Sequence, residues 1–189
     1  MAYKLDAGSM SLALQFTSEV FANREPTSVA LGITPAEFEH VFRDVMRKSV
    51  FSGFSYADET PDGVSVILNI PYDEFLGAEY NVLEKIEPML ALFEALDYEP
   101  KGKCLYVFSL ASSGSGMATR IGRYTILEAR KHGFESIVAD CTNVKGQNLA
   151  KHGFVVKSEI SYDEFQHDGA YPFKNLKGAT SVQRMELML

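Results

Sequence analysis

The stretch Ser113-Gly114-Ser115-Gly116-Met117-Ala118 decides the fold because of what stands on either side of it. The apolar run 105–110 precedes it, and the amphipathic segment 119–132 follows it. This order predicts a strand, a turn of small residues and then a helix. The first turn of a helix leaves backbone N–H groups unpaired, and the helix dipole adds about half a positive charge there. The stretch therefore predicts a loop that binds an anionic group such as phosphate.

Several kinds of phosphate-binding loop compete for this stretch, and a glycine-rich turn without a ligand remains an alternative. A P-loop ends in Gly-Lys-Ser/Thr, whereas Gly116 is followed by Met117. A dinucleotide-binding loop needs a third glycine where Thr119 stands, and it lies early in its βαβ unit. Here the loop lies past the middle of the chain. These observations disfavour both readings.

The loop resembles the pyrophosphate loop of the GCN5-related N-acetyltransferase (GNAT) superfamily. That family reads Arg/Gln-x-x-Gly-x-Gly/Ala, and the sequence matches it as Ser113-x-x-Gly116-x-Ala118, with Ser113 departing from the pattern. In the family, backbone amides make most of the contact with the pyrophosphate. The resemblance implies acetyl-CoA as co-substrate and no metal. It also implies cofactor contacts at Phe108, Leu110, Ser113, Gly114, Ser115, Gly116, Met117 and Ala118.

Two similar helix endings follow the loop, at Lys131-His132-Gly133-Phe134 and at Lys151-His152-Gly153-Phe154. Cationic residues in a last turn, followed by glycine and an apolar residue, are typical of a helix C-cap. We therefore predict structural roles for both histidines. The apolar run 136–141 lies between the two endings and predicts a short buried strand.

The spacing of these elements resembles the arylalkylamine N-acetyltransferase branch of the superfamily. The tail supports the resemblance with Tyr162-Asp163-Glu164-Phe165, Gly169, Phe173 and the segment 181–185. Upstream, Phe21-Ala-Asn-Arg-Glu25-Pro26 resembles the branch's Phe-x-x-x-Glu-Pro. The resemblance implies a mixed, mostly antiparallel, splayed sheet flanked by helices in α/β/α layers, an α+β fold. It implies one domain over residues 1–189.

The resemblance also implies candidate catalytic residues. Glu25 would be the base that takes the proton of the amine, although a surface carboxylate in a proline turn is an equal alternative. The tyrosine acid of many relatives is replaced here by Leu149. Thr142 and Cys141 stand where the branch places small hydroxyl residues, and a buried structural thiol is the alternative for Cys141. Asn143 would bind the pantetheine arm of the cofactor.

The remaining pattern predicts three further helices and three further strands. The helices are expected at Ser11 to Phe21, where Leu12, Phe16 and Val20 recur at helical steps, from a Thr34 cap to about Lys48, and at Tyr80 to Ala95. The strands are expected at Val50 to Ala57, Gly63 to Ile70 and Ser181 to Met188, with a turn at 61–63. Within the long helix after the loop, Ile121 and Leu127 are expected on the apolar side.

Composition limits the classes of function. The net charge is −7 and no basic block occurs, so nucleic acid is not an expected partner. No apolar run reaches the 18 residues of a membrane span, and no secretory leader is recognisable, so a cytoplasmic protein is expected. Cys104 and Cys141 are predicted at opposite ends of parallel strands, too far apart for a disulfide. The oligomeric state stays open, a homodimer included.

These observations predict an N-acetyltransferase that moves an acetyl group from acetyl-CoA to a small primary amine by direct attack. The alternative is a catalytically degenerate GNAT fold that binds acyl-CoA as a sensor or scaffold. Ser113 and the missing tyrosine motivate that alternative. Both hypotheses predict CoA binding, and only the first predicts release of free CoA thiol in the presence of an amine.

Overall fold

A computed structural model describes residues 2–189, which form helices packed on both faces of one seven-stranded sheet. The strands are β1 (Tyr3–Lys4), β2 (Tyr56–Thr60), β3 (Gly63–Pro71), β4 (Cys104–Ser112), β5 (Ser136–Cys141), β6 (Val155–Ser161) and β7 (Ser181–Met188). The α-helices are α1 (Met10–Arg24), α2 (Pro26–Ala30), α3 (Pro35–Phe51), α4 (Tyr72–Leu76), α5 (Glu87–Glu94), α6 (Met117–Lys131) and α7 (Val144–Gln147). Two 3₁₀ segments lie at Glu84–Ile86 and Asn148–His152.

The sheet is mostly antiparallel and has the strand order β1-β2-β3-β4-β5-β7-β6. Its one parallel pair within the described residues is β4 with β5, because α6 crosses over between them. This arrangement confirms the predicted fold class. The parallel register pairs Cys104 with Ser136 and stops at Val107 with Ala139.

The largest apolar cluster lies between one face of the sheet and helices α1, α3 and α5. Smaller clusters cover the opposite face beneath α6, where Ile121 and Ala129 are buried. The sheet therefore separates two compartments, a large aromatic one and a smaller one under α6. Any group that passes from one compartment to the other must cross the plane of the sheet.

Several local predictions are confirmed. Thr34 caps α3 through a full capping box, in which its hydroxyl accepts from the Glu37 N–H while the Glu37 carboxylate accepts from the Thr34 N–H. The turn before Gly63 joins β2 to β3, and the predicted strand over 136–141 is β5. The two helix endings have glycines in the left-handed region, with φ of 70° at Gly133 and 90° at Gly153.

Two predicted boundaries are wrong. The strand predicted at Val50 to Ala57 begins only at Tyr56, because α3 continues to Phe51 and buries Val50 against the sheet. The helix predicted at Tyr80 to Ala95 is shorter and begins at Glu87 after a 3₁₀ turn. Pro88 explains this difference, because proline fits the first turn of a helix but breaks its interior.

Two predicted helix faces also differ from the structure. Leu127 of α6 is exposed, since the buried face of this helix is Met117, Ile121, Thr125 and Ala129. In α1 the residues at Leu12, Phe16 and Val20 do not form the buried face. Leu14 and four smaller residues do so instead: Ala13, Thr17, Ser18 and Ala22. Small side chains let α1 lie close to the sheet and to α3.

Both cysteines are free and buried, at opposite ends of the parallel pair, as predicted. Cys104 begins β4, and Cys141 lies five residues beyond the Ser136 that pairs with Cys104. None of the helices in residues 2–189 combines the length and the apolar character needed to cross a membrane.

Candidate functional site

The site is built where β4 and β5 separate. Beyond Val107 and Ala139 the two strands no longer pair, so the edges that face each other carry backbone groups without a strand partner. The other edge of β4, which pairs with β3, contains a β-bulge at the same level. Asn69 of β3 pairs with Val107 and Leu68 pairs with Ser109, so Phe108 is the extra residue.

A cavity of about 1350 Å³ lies at this gap and is lined by residues from both faces of the sheet. On the α6 side it is bordered by Ala118, Thr119 and Gly122, and by residues of α7. On the opposite side it is bordered by aromatic rings, among them Phe21, Phe42, Tyr72, Phe75, Tyr80 and Phe93. We call these the loop half and the aromatic half of the cavity.

The glycine-rich loop leads to the loop half through Ala118, which borders the cavity, whereas residues 113–117 are not among its lining residues. Gly116 is the N-cap of α6 with φ of 73°, so the chain turns sharply and the amides of Met117, Ala118 and Thr119 begin the helix without intrahelical acceptors. A Cβ on Gly116 would point into space that holds no atom of the described residues within 4 Å. The loop is therefore an open cradle at a helix N-terminus, shaped to receive an anionic group.

The rest of the loop is held against the turn between β2 and β3. A Cβ on Gly114 would lie 2.9 Å from the carbonyl oxygen of Asp62, and a Cβ on Gly63 would lie 2.8 Å from the amide of Gly114. Ser113 completes this contact, because its hydroxyl accepts from the N–H of Val64 at 2.9 Å. The Ser113 side chain thus anchors the loop to β3.

Glu25 borders the cavity, but its carboxylate is already bound. As N-cap of α2 it accepts from the N–H of Thr27 at 3.0 Å, the N–H of Ser28 at 2.6 Å and the hydroxyl of Thr27 at 2.7 Å. The structure thus brings Glu25 to the cavity wall and gives it a capping role there.

Cys141 ends β5 just past the last β4–β5 pair, Thr142 follows it, and both border the cavity. Burial raises the pKa of the Cys141 thiol to about 12, so it is neutral near pH 7. The carbonyl of Thr142 accepts from the hydroxyl of the fully buried Tyr162 at 2.8 Å, which fixes the chain where it leaves β5. Asn143 caps α7 by accepting from the Gly146 N–H at 2.9 Å.

The floor of the aromatic half contains a buried ion pair that the sequence analysis missed. Arg184 of β7 binds both carboxylate oxygens of Asp140, at 2.7 and 2.8 Å, and Tyr106 donates to the same carboxylate at 2.8 Å. The guanidinium also donates to the carbonyls of Leu96 and Tyr98, at 2.9 and 3.1 Å. Arg184 therefore fastens the segment after α5 to the sheet.

Charge is divided between the two halves of the cavity. The aromatic half is bordered by five acidic side chains, Glu25, Glu94, Asp97, Glu99 and Asp140, and by two basic ones, Arg24 and Arg184, of which Arg184 is paired with Asp140, so acidic groups are in excess there. Basic side chains border the loop half and the mouth beside α7, namely Arg123, Lys145, His152 and Lys177. The first arrangement favours a cationic ligand and the second favours an anionic one.

Solved structures with the same architecture identify the fold. Arylalkylamine N-acetyltransferase 2 from Aedes aegypti superposes over 100% of this chain and 98% of its own, with a TM-score of 0.79 and 15% identity. The C-terminal condensation domain of Ebony, solved with β-alanyl-dopamine, matches over 100% and 98% with a TM-score of 0.85 and 17% identity. The chain has the GCN5-related N-acetyltransferase fold.

A third structure with the GNAT fold is the Drosophila melanogaster polyamine N-acetyltransferase. It covers 100% of this chain and 99% of its own, with a TM-score of 0.75 and 18% identity. No protein-family model matches the sequence.

The GNAT fold was predicted from the loop and the helix endings, which are local in sequence. The sequence analysis missed Asp140 and Arg184, although a charged residue inside each buried strand was a signal for them.

Proposed function

We propose that the protein is a CoA-dependent N-acetyltransferase that moves an acetyl group from acetyl-CoA to a small primary amine by direct attack in a ternary complex. The observation that carries this proposal is the single cavity that crosses the sheet where β4 and β5 separate. It joins a helix-N-terminal cradle on one face to an acidic, aromatic compartment on the other. Two ligands that enter from opposite faces would meet in the gap.

The cradle suits the pyrophosphate of CoA. The left-handed Gly116 opens space over the start of α6, where the amides of Met117, Ala118 and Thr119 begin the helix. Arg123 and Lys145, beside the loop half, add positive charge for the other phosphate oxygens. Because Ser113 is bound to Val64, these backbone amides would make the pyrophosphate contacts.

The pantetheine arm would extend along the free edge of β4. Beyond Val107 this edge has lost β5 as its partner, and Phe108 and Leu110 border the cavity there. An arm with two amide groups can add to a free strand edge through main-chain hydrogen bonds. Asn143, whose side-chain oxygen is bound to Gly146, would offer its amide N–H₂ group to the same arm.

The aromatic half suits a cationic acceptor with an apolar body. Its aromatic rings provide apolar contact area for a ligand. The rings of Phe42 and Tyr80, for example, meet edge to face with their centroids 5.7 Å apart. Acidic side chains around it would attract an ammonium group. An arylalkylamine has both features, so this class is our first choice of acceptor.

Acetyl-CoA would supply an acyl thioester whose carbonyl carbon the amine attacks. The residues of this chain would orient the amine and remove its proton. Glu25 is the candidate base, directly or through a water, since it is the carboxylate at the junction of α1 and α2 that borders the cavity. Thr142 is the candidate hydroxyl beside the leaving thiolate. Cys141, with its pKa raised to about 12 by burial, stays protonated near pH 7 and is therefore a weaker nucleophile than an ordinary thiol.

A thiol-release screen tests this proposal. Purified protein is mixed with acetyl-CoA and single amines that include phenethylamine, dopamine and agmatine, and free CoA is measured against time. We expect amine-dependent release with an aromatic amine and an N-acetyl product of the matching mass. Release that does not depend on any amine would refute the assignment as an N-acetyltransferase.

The alternative function is acyl-CoA binding without turnover. Two features favour it: Ser113 replaces the cationic or amide side chain of the loop pattern, and Leu149 lines the cavity at the position of the missing tyrosine. This alternative predicts saturable acetyl-CoA binding by calorimetry together with no thiol release across the amine panel.

A further inference from the structure

Ser109 has a buried hydroxyl without a hydrogen-bond partner among the described residues. It is 3% exposed, and its side-chain oxygen is in contact with neither solvent nor an acceptor or donor of the protein. A buried hydroxyl left unpaired costs about 1–3 kcal/mol. Such a group calls for a physical explanation, and a ligand that completes its hydrogen bonds is one.

The position of Ser109 points to a ligand. It follows the bulged Phe108 on β4 and borders the cavity at the level where β5 has separated. Thr17, Ser18 and Ser28 also have buried, unpartnered hydroxyls, but none of these three borders the cavity. Of these four residues with unpaired hydroxyls, only Ser109 borders the cavity.

The side of the sheet on which Ser109 lies indicates which ligand it meets. It pairs with Leu68, whose side chain belongs to the cluster packed under α1 and α3, so both lie on the face of the aromatic half. Farther along β4, Arg24 donates to the carbonyl of Ser112 at 3.4 Å, and Glu25 follows Arg24. Ser109 and the candidate base both border the cavity.

We propose that the Ser109 hydroxyl binds the reacting nitrogen of the amine acceptor. The serine oxygen accepts a hydrogen bond from an N–H of the amine and directs the nitrogen towards the gap between β4 and β5. The serine keeps its own proton and forms no covalent bond, while the proton lost by the amine goes to the base. This inference rests on the proposed function, because it assigns the acceptor site of that reaction.

The test uses Ser109→Ala and phenethylamine, an amine whose only polar group is its nitrogen. We expect kcat/KM for phenethylamine to fall about 10- to 100-fold, which corresponds to one hydrogen bond to a charged group. Affinity for CoA should stay within twofold. The melting temperature should not fall, because the substitution removes an unpaired polar group. Ser18→Ala is the matched control, since it removes an equally buried unpartnered hydroxyl outside the cavity and should leave kcat/KM unchanged.

Binding of phenethylamine to CoA-saturated protein, measured by calorimetry, separates the two proposals. If wild-type protein binds the amine but releases no thiol, the proposed function fails, and a binding loss in Ser109→Ala still supports the assignment. If wild-type protein acetylates the amine and Ser109→Ala does so equally well, the assignment is overturned and the proposed function stands. A loss seen with tyramine but not with phenethylamine would place Ser109 at the ring and overturn the assignment. If wild-type protein neither binds nor acetylates phenethylamine, both proposals fail for this class of amine.

Discussion

Arg184 and Asp140 form a two-point ion pair beneath the aromatic half of the cavity, with N–O distances of 2.7 and 2.8 Å. The Arg184 side chain is 9% exposed and that of Asp140 is 3% exposed. Burial alone would lower the pKa of Arg184, but its bonds to Asp140 hold that pKa above the ordinary value. The pair joins β5, β7 and the segment after α5, so it links the sheet to the wall of the aromatic half of the cavity.

We predict that Asp140→Asn lowers the free energy of unfolding by about 3–5 kcal/mol, because it leaves a buried guanidinium without its counter-charge. Urea unfolding of the purified variant measures this loss. Glu39→Gln is the control, since it breaks the exposed pair of Glu39 with Arg43 and should cost less than about 1 kcal/mol. Equal small losses in both variants would contradict the structural role of the buried pair.

Gly116 and Gly133 lie at the two ends of α6, so alanine substitutions at these positions form a matched pair. Gly116 and Gly133 both have φ near +70°, and a Cβ at either would meet no atom of the described residues within 4 Å. Alanine at either position should therefore cost a similar amount of stability, about 1 kcal/mol. Only Gly116→Ala should weaken acetyl-CoA binding, by tenfold or more, because only its methyl group would enter the space proposed for the pyrophosphate. Equal affinities of the two variants by calorimetry would remove the loop from the cofactor site.

Both cysteine thiols should be inert in the folded protein. Burial raises the pKa of Cys104 to about 11 and that of Cys141 to about 12, from an ordinary value of 9.0. Folded protein at pH 8 should not react with iodoacetamide, and two thiols should react after unfolding in urea. Because the unfolded thiols ionise near pH 9 while the folded ones stay protonated, the free energy of unfolding should fall as the pH rises above about 9. Rapid alkylation of Cys141 in folded protein would show that its thiol is accessible and would contradict its burial.

Glu25 can be tested as a base only if its capping role is measured at the same time. Glu25→Gln should lower kcat on a good amine by about 10²–10³. It should also cost about 1 kcal/mol of stability, since an amide caps α2 less well than the carboxylate. Thr27→Val is the control, because it removes the hydroxyl bonded to Glu25 and keeps the carboxylate.

If Thr27→Val loses stability but keeps its rate, while Glu25→Gln loses both, the carboxylate acts in catalysis. If turnover in Glu25→Gln stays near wild type between pH 6 and 9, Glu25 is a capping residue alone. The proton would then leave the amine through Thr142 or through solvent.

The features that could be predicted from sequence depend on neighbouring residues. The glycine-rich turn between β4 and α6, the capping box at Thr34 and the glycine endings at Gly133 and Gly153 are set by residues within one or two turns. The buried face of α1 could not be predicted, because the sheet and α3 select small residues such as Ala13 and Thr17 over the larger Leu12. Asp140 and Arg184 are 44 positions apart in the sequence, and only the pairing of β5 with β7 brings them together.

The most direct test of the account is an initial-rate matrix in which acetyl-CoA and phenethylamine are both varied. Direct attack within one cavity requires both ligands to be bound together. We predict CoA release that depends on both, with double-reciprocal lines that intersect, and protein whose mass is unchanged after incubation with acetyl-CoA alone. Parallel lines together with an acetyl group on the peptide that contains Cys141 would contradict direct transfer. The absence of amine-dependent CoA release with every amine tested would contradict the assignment as an acetyltransferase.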